Sequence, residues 1–172
     1  PSTPGQCELA QILKRELAEL GIEHTCGNGV VYAHLPATGP GRGEPVGFLA
    51  HMDTAEELTG RNVRPRIIPS YDGGIIRLND TVSMAPSEFP ALSQVIGDDL
   101  IVTDGTTLLG GDDKAGVAAI MQALDEIRQE DHRELYAAFT TDEEIGRGAD
   151  HFDLEQFPVA WAWTVDGDAV NQ

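Results

Sequence analysis

Residues able to act together on a small ligand occur at four places in this 172-residue chain: His51-Met52-Asp53, Asp112-Asp113, Glu143-Glu144 and Asp166. One imidazole among several carboxylates is a hard, oxygen-rich donor set that suits zinc, manganese or cobalt. Side chains two residues apart lie on the same side of an extended segment. Asp53 can therefore accept one imidazole N–H of His51 and fix its tautomer while the other ring nitrogen binds a cation. Glu143 and Glu144, being adjacent, reach one site only where a strand ends and bends. One of them can then bind a metal while the other stays unligated as a proton shuttle. Taken singly, each group has an ordinary explanation. An Asp pair at a helix start caps it, an acidic triplet is a solvated turn, and an Asp after a strand is a turn residue. What sets them apart is that all four follow predicted strands.

Those strands are short and apolar. Val46-Gly47-Phe48-Leu49-Ala50 runs directly into His51, and Leu135-Tyr136-Ala137-Ala138-Phe139 into the Thr140-Thr141-Asp142-Glu143-Glu144 stretch. Residues 159–165 form a third, ending at Asp166, and residues 99–103 a fourth, before the Gly-rich Leu109-Gly110-Gly111-Asp112-Asp113 junction and a helix over 117–127. Upstream, Leu9, Ile12, Leu13, Leu17 and Leu20 recur at helical spacing between Pro4 and a glycine stop at Gly21. Gly27-Asn28-Gly29 marks a hairpin into residues 30–35, and Pro36 to Pro45 is a Gly/Pro-rich loop. A second hairpin is expected from residues 63–68 and 75–78, turning at Tyr71-Asp72-Gly73-Gly74, and a short helix over 89–96. The order gives an α/β class with a mixed β-sheet flanked by helices, a class in which ligands bind beyond the carboxyl ends of strands.

The length suits about one domain with a real core. A formal charge of −18 argues against nucleic acid and anionic membrane surfaces as partners. No apolar run is long enough to span a bilayer. Cys7 and Cys26 are too few and too isolated for a disulfide framework or a thiolate zinc site, and read as reduced thiols in a cytoplasmic protein.

The motifs as whole strings carry a specific resemblance. His51-Met52-Asp53-Thr54, the run from Leu109 to Gly116, the run from Phe139 to Ala149 (with Asp142-Glu143-Glu144-Ile145-Gly146-Arg147-Gly148-Ala149) and Trp163-Thr164-Val165-Asp166-Gly167 resemble peptidase T. Peptidase T is the tripeptide aminopeptidase family of the wider di-zinc aminopeptidase, carboxypeptidase and aminoacylase superfamily. Residues 1–6 and 37–53 resemble it too. The resemblance implies a zinc-exopeptidase-like catalytic domain with two zinc ions per complete site, manganese or cobalt being possible. It implies that His51 and Asp166 bind one zinc, that Asp112 bridges to a second, and that Glu144 also holds the second. Asp53 would be the partner of the His51 imidazole. Glu143 would be the general base that takes a proton from the bridging water and delivers it to the leaving amine. Asp113 is expected to cap the helix and Lys114 to be a structural ion-pair partner; Arg147 is either a substrate anchor or a solvated arginine. The implied substrates are small peptides, tripeptides in particular, and the implied assembly of the full-length family is a homodimer.

The chain also departs from the pattern. The family's second zinc takes one more ligand, a His near the C-terminus of the full-length enzyme, and His24, His34, His132 and His151 do not match it. His24 and His34 lie in the first hairpin, His132 before a strand and His151 at an expected helix start. Residues 1–172 are expected to be the N-terminal portion of the catalytic domain, without a lid and dimerisation domain or the second half of the catalytic domain. Weak binding of the second metal and little or no peptidase activity are then expected of this chain alone. The alternatives are a related di-metal amidohydrolase, such as a deacylase or another exopeptidase, and a non-catalytic metal-binding fragment.

Overall fold

A computed structural model describes residues 1–39 and 43–167; residues 40–42 of the expected Pro36-to-Pro45 loop, and 168–172, lie outside the described residues. The chain divides into two compact units, Pro1–Ala55 with Gly111–Gly167 and a second formed by residues 56–110.

The first unit opens with helix α1, Pro4–Glu19, whose Ala10, Leu13 and Leu17 are buried. Its end follows from Gly21, which takes φ +73°. The chain then folds back so that Ile22 N–H reaches Leu17 O at 2.9 Å and Gly21 N–H reaches Ala18 O at 3.0 Å. This Schellman closure satisfies the last carbonyls and seats Ile22 against the helix. Strands β1, Glu23–Gly27, and β2, Val30–Leu35, form the expected hairpin. Asn28 and Gly29 supply the two positive φ values, 54° and 91°, that a two-residue turn of matching twist requires.

Strand β3, Val46–His51, follows, and after the second unit come helix α2, Gly111–Ile127, and strand β8, Leu135–Thr140; strand β9 is Trp161–Thr164. The sheet order is β1-β2-β8-β3-β9. β2 runs antiparallel to β8, whereas β8, β3 and β9 are parallel, so the sheet is mixed as expected. One face packs Val31, Ala33, Ala137, Phe139 and Ala50 against Leu13 and Leu17 of α1 and Val117, Ile120 and Leu124 of α2. The opposite face buries Val30, Tyr32 and Ala138 under Phe157, with Phe152 beside them. β2 and β8 are thus buried on both faces, which is why their sequences read as continuous apolar runs. β9 is an edge strand whose residues are all exposed, including Trp161 and Trp163.

In the second unit the expected hairpin is not made. β4, Arg66–Ile68, pairs with β7, Leu100–Val102, and β5, Ile76–Arg77, pairs with β6, Ser83–Met84. The Tyr71-Asp72-Gly73-Gly74 stretch does not return the chain on itself, because Tyr71 is buried and exchanges backbone bonds with Asp98 and Gly97 at 2.8 Å each. The sharp reversal comes instead at Asn79, whose side-chain oxygen takes the N–H groups of Thr81 and Val82, both at 2.9 Å. The expected helix over 89–96 is a short 3-10 helix, Pro90–Gln94.

Candidate metal centre

Parallel β3, β8 and β9 bring their carboxyl ends to one side of the sheet, and three of the four expected groups follow from that alone. His51 is the last residue of β3, Glu143 and Glu144 follow the end of β8, and Asp166 follows β9. Asp112 arrives differently. The strand expected to deliver it, residues 99–103, is β7 of the separate two-stranded sheet, and Asp112 is carried by the start of α2. The first residues assigned to α2 are not helical, Asp112 having φ −88° and ψ 109°, so its side chain is free of the helix and faces His51.

His51 is buried at 2 % exposure and its Nε2 is the focus of the site. Asp112 Oδ1 lies 2.9 Å away, Asp166 Oδ2 3.7 Å and Glu143 Oε2 3.8 Å. One ligand atom each from His51, Asp112 and Asp166 converge within 4.8 Å, the one such group of three or more potential ligands among the described residues. Glu144 is not part of that group. Its backbone N–H is held at the site, but its carboxylate stands outside the trio.

Asp53 does more than orient the imidazole. His51 Nδ1 lies 3.2 Å from the Asp53 carbonyl oxygen and 3.4 Å from its carboxylate. The same carboxylate accepts the N–H of Glu143 at 3.2 Å on Oδ1 and of Glu144 at 3.0 Å on Oδ2. One buried side chain therefore ties the end of β3 to the turn after β8. Asp113 has a similar double use: Oδ2 accepts His51 N–H at 3.0 Å and Oδ1 accepts Gly116 N–H at 3.1 Å. It is the helix cap that was expected, and it also anchors the backbone of His51. Lys114 Nζ donates to the Asp53 carbonyl at 3.1 Å, among Asp53, Asp112, Asp113 and Glu144. Arg147 pairs with Asp150 at 2.7 Å on the exposed surface, the solvated alternative of its two readings.

The charge pattern fits a cation. Burial disfavours the imidazolium of His51, yet Asp53, Asp112, Asp113 and Asp166 override it and raise the pKa. Burial likewise raises the carboxyl of Asp113, against the hydrogen bond from His51 N–H, and lowers the ammonium of Lys114, against its carboxylate neighbours. Several carboxylates around one imidazole leave negative charge that a single proton does not neutralise. The donor set of one nitrogen and converging carboxylate oxygens thus suits a hard or borderline divalent ion. Beside it opens a cavity of about 470 Å³ lined by the polar His51, Glu143 and Asp166 and by the apolar Leu49, Ala149, Phe152 and Leu154.

The other histidines lie elsewhere. His34 sits between Glu23 and Glu134 and stacks on Tyr136, His24 contacts the Ile22 carbonyl, and His132 contacts that of Arg133. His151 is in a turn and not at a helix start, since the stretch after Gly148 is built of successive turns. Sequence reasoning missed Asp142, taken there as part of a solvated turn. It is buried, and its carboxylate is directed at Ser2 and Gln6.

Residues 101–172 match the family model of M42 glutamyl aminopeptidase. The whole chain aligns with peptidase T of Citrobacter koseri at 47 % identity and with peptidase T of Escherichia coli (strain SE11) at 46 %, covering 43 % of each relative. The chain thus spans less than half the length of the curated relatives it matches. Among solved structures, aminopeptidase PepT from Bacillus cereus superposes with a TM-score of 0.71 at 26 % identity, over 97 % of this chain and 39 % of that one. The likeness to peptidase T extends over the whole chain in sequence and over nearly all of it in fold.

Proposed function

We propose that this chain carries the metal-binding part of a di-zinc aminopeptidase that releases the N-terminal residue of tripeptides in the cytoplasm. The observation that carries the reading is the convergence of Asp112, Asp166 and Glu143 on His51 Nε2, at 2.9, 3.7 and 3.8 Å. His51 and Asp166 would hold one ion, Asp112 would be shared, and Glu144 would serve a second. When bound, the metals supply Lewis acidity toward a water and toward the scissile carbonyl. Glu143, whose exposed carboxylate lines the cavity with Oε2 3.8 Å from His51 Nε2, takes the proton from the attacking water and returns it to the leaving amine. Asp53 would keep Nε2 of His51 directed into the site, and it ties the Glu143–Glu144 backbone to the end of β3. The cavity has the volume of small-ligand sites, and its apolar lining would take the substrate's side chains.

The match of residues 101–172 to a glutamyl aminopeptidase model supports a second reading, a related di-metal exopeptidase of different preference. Assays of the metal-loaded full-length protein on trialanine, on Glu-Ala-Ala and on N-acetyl-trialanine separate the readings, a marked preference for Glu-Ala-Ala over trialanine favouring the second. Hydrolysis confined to the free-amine peptides, and lost in Glu143→Gln, is expected. Preference for the acylated peptide, or full activity of Glu143→Gln, would overturn the proposal.

A further inference from the structure

The stretch from Pro1 to Gln6 belongs to the resemblance but has no part in the metal cluster. Gln6 lies in the first turn of α1 and is 3 % exposed, an unusual place for a long amide. Its side chain makes two opposed bonds with Asp142: Nε2 donates to Oδ1 at 2.8 Å, and Oε1 accepts the Asp142 N–H at 3.0 Å. Ser2 adds its N–H to both carboxylate oxygens, at 2.8 and 3.1 Å, and its hydroxyl to Oδ1 at 2.6 Å. Both backbone and side chain of Asp142 are thereby fixed from α1 and the residues before it.

Asp142 needs such support. Its φ is +62°, in the left-handed region that a non-glycine residue seldom occupies. From there the chain turns tightly, Arg147 N–H reaching Asp142 O at 2.9 Å and Gly146 N–H reaching Glu143 O at 2.7 Å. A return of Asp142 to the ordinary right-handed region would swing the next residue, Glu143, out of the site. The turn is therefore gripped on both sides, by Asp53 through the N–H groups of Glu143 and Glu144 and by Gln6 and Ser2 through Asp142.

We propose that Gln6 and Ser2, acting through Asp142, are positioning residues that set the direction of the Glu143 carboxylate at the metal centre. This rests on the reading of Glu143 as the proton-transfer group. A purely structural role, in which the contact only fastens α1 to the sheet, would lower stability without changing the site.

The test uses three variants. Gln6→Glu keeps the size of the side chain and sets a second carboxylate against Asp142. Gln6→Glu combined with Asp142→Asn exchanges the two roles, so that amide again faces carboxylate. Ser2→Ala removes one hydroxyl from a partly exposed position and should fold whatever the others do. Amide exchange at Glu143 and Glu144 is read in the metal-free chain, and kcat and KM for trialanine in the metal-loaded full-length protein. Gln6→Glu is expected to speed exchange at both amides and to lower kcat, each roughly tenfold or more, with KM nearly unchanged. The double variant should recover most of both, and Ser2→Ala should show a several-fold change in the same direction. Unchanged exchange in Gln6→Glu, or a double variant that melts normally yet recovers neither quantity, would overturn the proposal. If Gln6→Glu does not fold, Ser2→Ala decides by the same readouts, unchanged exchange counting against. Glu143→Gln is the reference for the underlying reading. If it retains turnover, that reading fails, while the exchange results still decide whether Gln6 and Ser2 position the turn.

Discussion

Gly116 couples the packing of α2 to the candidate metal centre, and Gly116→Ala tests that coupling. A methyl group built there would stand 2.0 Å from the Val165 carbonyl oxygen and 2.3 Å from Asp113 Oδ1. Since Cβ atoms essentially never come closer than 3.0 Å to such neighbours, α2 and the strand end must part by about 1 Å. Two site groups move with them, because Val165 precedes Asp166 and Asp113 holds both Gly116 N–H and His51 N–H. Overpacking of this kind costs about 1–3 kcal/mol, and loosening the Asp113 bond about 1 kcal/mol more. The better helix propensity of alanine returns up to about 1 kcal/mol. The net with the full propensity gain, about 1–3 kcal/mol, corresponds to a loss of roughly 2–12 °C in Tm for a chain of this size. Thermal melting by circular dichroism measures it, with zinc calorimetry on the same protein expected to show weakened binding. A variant that melts within about 1 °C of the wild type and binds zinc equally well would refute the link between this contact and the site.

Three further outcomes are expected. Asp53→Ala removes the acceptor of two backbone N–H groups and the neighbour of His51 Nδ1, and should weaken zinc binding about 10- to 100-fold by calorimetry. Burial alone would raise the Asp142 carboxyl, but the hydrogen bonds from Ser2 and Gln6 bring it down to about 2, from 3.8. A lowered folded-state pKa contributes stability that is full above the unfolded value and lost as pH falls from about 4 toward 2, here about 2 kcal/mol at most. Acid titration followed by denaturant melts should show that loss in the wild type and less of it in Asp142→Asn. Arg147→Ala removes only an exposed pair with Asp150 and should leave stability unchanged within error in the same melts.

What could be read in the sequence was whatever depends on a short stretch. The Asn28-Gly29 turn, the Gly21 helix stop and the apolar runs of β3 and β8 each express a local conformational or burial preference. The strand ends at His51 and before Glu143 followed from those runs, and with them the side of the sheet on which the site lies. Pairing between distant strands was not legible in the same way. Residues 63–68 and 75–78 looked like a hairpin because both are short and β-like around a Gly-rich turn, but the buried Tyr71 binds residues 97 and 98 and β4 pairs with β7. The same long-range pairing removed β7 from the sheet expected to present Asp112, which the non-helical start of α2 supplies instead. Asp142 was misjudged for a related reason. Its partners, Ser2 and Gln6, lie at the far end of the chain, and no local pattern signals that contact.

The central claim, that the chain assembles a metal centre around His51, is tested most directly by zinc calorimetry. Wild-type and Asp112→Ala protein would be titrated at equal concentration in chelator-treated buffer. Saturable binding by the wild type that Asp112→Ala abolishes or greatly weakens is expected, because Asp112 is the carboxylate nearest to His51 Nε2, at 2.9 Å. Binding unaffected by that substitution, or no binding by the wild type, would contradict the claim.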